Sequence, residues 1–235
     1  MAFPQAILVD LDDTILDDSG SVEDGWRVAC RDAARQAGLD AEALFIAIMG
    51  IREWFWADPA RHQEGRMDLK AASLGIVQRA LLSLGLDRPA LAAEMADAYR
   101  DFRDAAIRPF PGAIEALESL RHDGVRLALL TNGSGPAQRA KIERFGLASY
   151  FDSILIEGEF GVGKPDPRVY ASAMKALGTR PDQTWSVGDN LEWDVGGPQR
   201  LGVYGIWVDY ARIGLMAKAE VRPDRIVHAL REIVT

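Results

Sequence analysis

The chain has 235 residues, a net charge of −8, 48% hydrophobic residues and a single cysteine. The acidic balance excludes a surface built to coat nucleic acid or an anionic membrane, no apolar run reaches the roughly 18 residues of a membrane span, and Cys30 alone makes neither an intrachain disulfide nor a structural zinc site. With no basic region followed by a long apolar one at the N-terminus, a cytoplasmic protein is expected, with apolar content for one large or two small domains.

Residues 6–9, Ala-Ile-Leu-Val, form a short apolar run without alternation, as in a strand buried on both faces of a parallel sheet. From about residue 19 to 108 the periods are helical and no strand pattern occurs. Leu91, Met95, Ala98, Tyr99 and Phe102 make one apolar stripe; Leu69, Ile76, Val77, Ala80, Leu81 and Leu84 make another. The surroundings of Cys30 (Ala29, Ala33, Ala34) predict a buried helical thiol. The stretch Arg108–Gly112, with two prolines and a glycine, ends this block and returns the chain to the sheet. Strand patterns recur at Val125–Leu130, Ile154–Ile156, Trp185–Val187 and Val203–Val208, with helical patterns at 112–122 and 167–177, the second opened by Asp166 as N-cap and Pro167 behind it. Alternation of this kind predicts an α/β fold with a Rossmann-like parallel sheet, interrupted by an all-helical insertion.

Five aspartates follow the first strand: Asp10, Asp12, Asp13, Asp17 and Asp18. In extended backbone, side chains two apart face the same way, so Asp10 and Asp12 are expected to share one site and Asp13 to face the other side. Asp17 and Asp18 read as turn and capping residues. Two facing carboxylates require a shared proton, a cation or solvent, and this stretch alone does not choose among them. Three more fragments follow apolar strands. Thr131, Asn132 and Gly133 offer a hydroxyl and converging backbone N–H groups for an anion. Lys164 lies in the loop Gly-Lys-Pro-Asp-Pro, and Asp189 and Asp194 follow the fourth strand. All four fragments fall at the carboxyl ends of the sheet, where open α/β folds hold their ligands. Acids of this number suit a hard divalent ion, most naturally Mg²⁺, and a lysine with amides beside it suits a phosphoryl group.

The four fragments, DLDDT (Asp10–Thr14), LLTNG (Leu129–Gly133), GKPDP (Gly163–Pro167) and VGDNLEWD (Val187–Asp194), resemble the motifs of the haloacid dehalogenase-like (HAD) hydrolase superfamily, phosphatase branch, with a helical C1-type cap inserted after the first strand. The resemblance implies a core of residues 1–18 and 109–235 with a cap of residues 19–108. It also implies a central first strand, with the second and third strands on one side and the fourth on the other. It makes Asp10 the nucleophile that becomes an aspartyl-phosphate, and Asp12 the acid and then base. Thr131, Asn132, Gly133 and Lys164 become the phosphate-binding groups. Asp10, the Asp12 carbonyl, Asp189 and Asp194 become the Mg²⁺ set, Asp194 directly or through water. For Asp12 to act as an acid near neutral pH its pKa must rise about three units, which the Asp10 charge and burial are expected to provide.

The implied activity is Mg²⁺-dependent hydrolysis of a small phosphorylated metabolite by a monomer or homodimer, without nucleic acid or membrane partners. A phosphomutase uses the same aspartates and is the enzyme alternative. A 2-haloacid dehalogenase would leave an acid at Asp12 and Asp189 without purpose. A phosphonate-cleaving relative would need a cap lysine for a Schiff base, and Lys70 is the single one. A receiver-type phosphate acceptor carries no large cap, and a relative that binds without hydrolysing would lack a catalytic group, none of which is missing here. For selection of the leaving group, residues 51–68 hold Trp54, Phe55 and Trp56 with Arg52, Arg61, His62 and Arg66. Arg61, His62 and Arg66 are the candidates to read an anionic substrate; alternatively, the aromatics pack the cap and the arginines meet solvent.

Overall fold

The computed structural model describes residues 4–234. The chain divides into two compact units: one comprises the chain up to Asp17 together with the chain from Arg108 onward, the other Asp18–Ile107. No helix among the described residues is long and apolar enough to cross a membrane.

The first unit is built on a six-stranded parallel sheet. Its strands are β1 (Ala6–Val9), β4 (Arg126–Thr131), β5 (Ser153–Ile156), β6 (Thr184–Gly188), β7 (Tyr204–Val208) and β8 (Arg225–Val227), in the order β5-β4-β1-β6-β7-β8. The central place of β1, with β4 and β5 on one side and β6 on the other, is the order the resemblance implies. All four β1 residues are buried, which is why the run shows no alternation. Val9 is level with Leu129 of β4 and Val187 of β6, so the residues that follow these three strands emerge side by side at one sheet edge. Two short strands, β2 (Leu16–Asp17) and β3 (Arg108–Pro109), pair antiparallel where the chain leaves and re-enters this unit.

Helices α6 (Ala113–His122), α7 (Gly135–Arg144), α8 (Glu157–Phe160), α9 (Pro167–Leu177) and α10 (Gly197–Gln199) flank the sheet. Asp166 caps α9 by accepting the Arg168 N–H at 2.9 Å. The buried face of α9, with Val169, Tyr170, Ala173, Met174 and Leu177, packs on Ala6 and Leu8 of β1 and Ala128 and Leu130 of β4. The sequence reading did not include α7, β8 or the π-helical turn Leu191–Gly196.

The second unit is all helical: α1 (Val22–Ala37), α2 (Ala41–Ala57), α3 (Pro59–Met67), α4 (Leu69–Ser83) and α5 (Pro89–Ala106). Asp40, Asp58 and Asp68 cap α2, α3 and α4 in turn through their side chains. The core joins Trp26, stacked on Tyr99 at 3.6 Å between ring centroids, with Leu44, Ile48, Ile76, Val77, Leu81 and Met95. Cys30 is buried here, and burial pushes its thiol up to about 12, so it packs as a small apolar group. Leu84 departs from its expected stripe and is 41% exposed, because α4 ends at Ser83. Asp17 and Asp18 are not caps. Asp17 pairs in β2, and the Asp18 carboxylate accepts from Arg103 at 2.8 Å, tying the first residue of this unit to its last helix.

Candidate active site

The extended geometry of β1 stops at Val9. The chain then turns tightly, with the Ile15 N–H donating to the Leu11 carbonyl at 2.9 Å and Asp13 adopting a φ of 58°. The turn brings the Thr14 hydroxyl to the Asp10 carboxylate, where it donates at 3.1 Å, and the same hydroxyl accepts the Asp189 N–H at 3.1 Å. It also breaks the alternation rule for Asp13. The Asp12 carboxylate meets α7: Lys141 Nζ lies 2.8 Å from Oδ1 and Gln138 Nε2 lies 2.8 Å from Oδ2. Asp13, expected to face away, is among the charges that act on Asp189.

Lys164 sits at the centre of the site, buried, with its ammonium 2.5 Å from Asp10 Oδ1 and 2.7 Å from Asp194 Oδ1. Burial would lower its pKa, but the two carboxylates outweigh burial and hold it protonated. Its backbone is clamped by Asn132, whose side chain accepts the Lys164 N–H and donates to the Lys164 carbonyl, both at 2.8 Å. A Cβ on Gly163 would meet Asn132 Oδ1 at 2.5 Å, so the residue before the lysine must be glycine for the clamp to close.

Asp10, Asp189 and Asp194 bring one carboxylate oxygen each to within 4.8 Å of one another. Among the described residues, the Asp12 carboxylate is not part of that group. Burial first, then the neighbouring acids, pushes Asp189 up to about 9; burial likewise raises Asp10 to about 6 against the opposing pull of Lys164. Trp207 Nε1 donates to the Asp189 carbonyl at 2.6 Å, and Tyr170 donates to the Trp193 carbonyl at 2.5 Å, fixing the loop that carries Asp194. The approach of Asp194 is close: a Cβ on Gly188 would lie 2.3 Å from its Cγ. Three carboxyl groups face one ammonium, so burial and mutual repulsion keep protons on the acids unless further positive charge arrives. An all-oxygen donor set of that kind fits a hard divalent ion.

The anion nest expected at residues 131–133 is arranged differently. The Gly133 N–H donates to Glu157 at 2.9 Å, and the Asn132 side chain is spent on Lys164. The Thr131 hydroxyl remains at the site, accepting from Gln138. Gln138, Lys141, Glu157 and Thr14 were absent from the sequence-derived site. The spacing of Gln138 and Lys141 places both on one face of α7, the only sequence signal they carry.

Arg61, His62 and Arg66 lie in the helical unit. The Arg61 guanidinium stacks on Trp54 at 3.7 Å and donates to the Trp54 carbonyl at 2.7 Å. His62 meets the edge of Trp56 at 5.3 Å, and Arg66 Nη1 lies 3.3 Å from His62 Nδ1. Phe55 and Trp56 pack against the helical core, as in the packing alternative.

Comparison with known proteins agrees with this geometry. Residues 4–202 match the family model described as haloacid dehalogenase-like hydrolase. A phosphoserine phosphatase of Thermus thermophilus is 36% identical, the alignment covering 97% of this chain and 96% of that protein. A glyceraldehyde 3-phosphate phosphatase of Methanopyrus kandleri is 31% identical over 94% of this chain and 89% of its own length. The magnesium-bound HAD-hydrolase YfnB of Bacillus subtilis shares the fold with a TM-score of 0.73 at 21% identity, over 99% of this chain and 97% of that one.

Proposed function

Because the chain belongs to the haloacid dehalogenase-like hydrolases, and is a phosphatase of that family, we propose that it hydrolyses small phosphomonoesters with Mg²⁺ through an aspartyl-phosphate on Asp10. The observation that carries this reading is the buried Lys164 ammonium shared by Asp10 and Asp194, with Asp189 in the same group. The lysine holds the Asp10 carboxylate in place and offers positive charge to an incoming phosphoryl group.

In the first half-reaction an Asp10 oxygen bonds to phosphorus as the ester P–O bond breaks, and Asp12 gives its proton to the departing alkoxide oxygen. In the second, Asp12 takes a proton from water, the water oxygen bonds to phosphorus, and the Asp10–phosphorus bond breaks to release inorganic phosphate. The Thr131 hydroxyl and Lys164 hold the phosphoryl oxygens throughout. Asp10, Asp189 and Asp194 are the residues that would hold a Mg²⁺ ion, which when bound would supply positive charge against the repulsion between carboxylate and phosphate.

The relatives are named for phosphoserine and glyceraldehyde 3-phosphate, and esters of that size are the substrates we assign to this chain. We give selection among them to the helical unit, acting as a cap, with Arg61, His62 and Arg66 as its readers of charge. A panel of phosphorylated metabolites with Mg²⁺, scored by phosphate release, tests the activity. Asp10→Asn is expected to lose at least about a thousandfold in kcat, the order seen when covalent nucleophiles are removed. Wild-type protein quenched in acid should carry phosphate on Asp10. Turnover that survives in Asp10→Asn would overturn the assignment.

A further inference from the structure

The proton carrier Asp12 is held by α7, not by the acid cluster. Gln138 is buried, and its amide nitrogen lies within hydrogen-bond reach of three acceptors that share its two hydrogens: Asp12 Oδ2 at 2.8 Å, the Asn132 carbonyl at 3.0 Å and the Thr131 hydroxyl oxygen. One side chain therefore fixes the proton carrier and a phosphate-binding hydroxyl together. Because Thr131 accepts from Gln138, its own hydrogen stays available to a phosphoryl oxygen; the alternative acceptor, the Asn132 carbonyl, is 3.5 Å away. Lys141, its side chain 13% exposed, holds the other Asp12 oxygen at 2.8 Å.

Resting on the phosphatase reading above, we propose that Gln138 and Lys141 are positioning residues for proton transfer, acting through Asp12. Gln138 and Lys141 are three residues apart on α7, so one helix face presents both donors, one to each Asp12 oxygen. With both oxygens held, the carboxyl has one orientation, set by the helix and independent of the tight turn that carries Asp12. An amide and an ammonium contribute differently. The amide ties Asp12 to the Thr131 side of the site, and the ammonium holds the other carboxyl oxygen in place.

Chemistry separates a positioning role from a purely structural one. Departure of an alkoxide needs a proton, whereas 2,4-dinitrophenolate leaves without one. The experiment compares Lys141→Met and Gln138→Leu with wild type on phosphoserine and on 2,4-dinitrophenyl phosphate, following both the first turnover and the steady state. The expected result is a fall in kcat on phosphoserine of about 30- to 100-fold, within the range of general acid–base catalysis. In Lys141→Met, first-turnover release of dinitrophenolate should stay within about threefold, because that step uses Asp10, Thr131 and Lys164 without the proton, whereas Gln138→Leu, which also frees the Thr131 hydroxyl, should lose more at that step. Steady-state turnover of the same ester should fall, because it still needs Asp12 to activate water. Lys141→Arg should recover most of the loss on phosphoserine, which keeps the assignment testable if Gln138→Leu folds poorly. In Lys141→Met, equal loss on both esters at the first turnover or a change confined to KM would overturn the proposal, as would no recovery in Lys141→Arg. Wild-type protein inactive on every ester would instead remove the phosphatase reading beneath it.

Discussion

Around Asp10, three carboxylates gather and two of them, Asp10 and Asp194, share the one ammonium of Lys164; around Asp12, one carboxylate meets the ammonium of Lys141 and the amide of Gln138. The first arrangement carries more acids than positive charge in a buried place and calls for a cation. The second is electrically balanced and geometrically fixed. Two acids two residues apart in sequence thus sit in different surroundings, which suits the proposed division between bonding phosphorus and carrying a proton. Their surroundings, not their residue type, divide the work.

The sharpest way to break this contrast is to remove Lys164. Its ammonium is the positive charge between Asp10 and Asp194, and its side chain is 3% exposed. Lys164→Met leaves two buried carboxylates facing each other. Loss of one partner from a buried ion pair costs about 3–5 kcal/mol, which for a chain of this size lowers Tm by roughly 10 °C or more. Activity should vanish along with it. Mg²⁺ should recover part of the stability in the variant, because the surplus charge it answers has grown. A variant that melts like wild type would show that the acids around Lys164 are solvated and that the contrast with Asp12 is unreal.

A smaller effect follows from pH. Asp10 at about 6 and Asp189 at about 9 both stand above the ordinary 3.8 of an aspartate. In the absence of divalent ion, the folded chain therefore keeps protons that the unfolded chain has already released between about pH 4 and pH 9. Stability is greatest at the acid end of that window and declines as pH rises through it. In chelator, Tm should drop by at least about 5 °C between about pH 5 and pH 8.5. Millimolar Mg²⁺ should flatten the decline by binding the deprotonated cluster. Thermal melts at several pH values, with and without the ion, give the answer; parallel slopes in the two series would refute a cation site at these acids.

Much of this site was legible in the chain because each chemical residue follows an apolar run. Asp10, Thr131, Lys164 and Asp189 come after strands whose buried patterns announce them, and the register of β1 with β4 and β6 brings their ends together. What stayed hidden depends on distant partners. Gln138 and Lys141 are 126 and 129 residues from Asp12, and helical periodicity reveals a polar face without saying what it meets. Gly133 looked like a free donor because its acceptor, Glu157, lies 24 residues on. Asp13 was turned away from the site by a rule that holds for strands, and the strand had already ended at Val9. Asp18 looked like a cap until Arg103, 85 residues later, supplied its partner.

The helical unit extends the comparison with the smallest effect. Three of its arginines meet its own rings: Arg61 and Arg79 both lie over the Trp54 ring, at 3.7 and 4.4 Å, and Arg66 is held against His62. Cation–π contacts at exposed rings contribute about 0.5–1 kcal/mol each, so these groups can be changed without unfolding the unit. If Arg66 reads the charge of the leaving group, Arg66→Ala should raise KM for phosphoserine by about three- to tenfold, the worth of one charged hydrogen bond of roughly 1 kcal/mol. The KM for a small aryl phosphate, which offers no second charge, should not move, and kcat should hold for both. An equal rise on the two esters would return Arg66 to the packing of the helical unit.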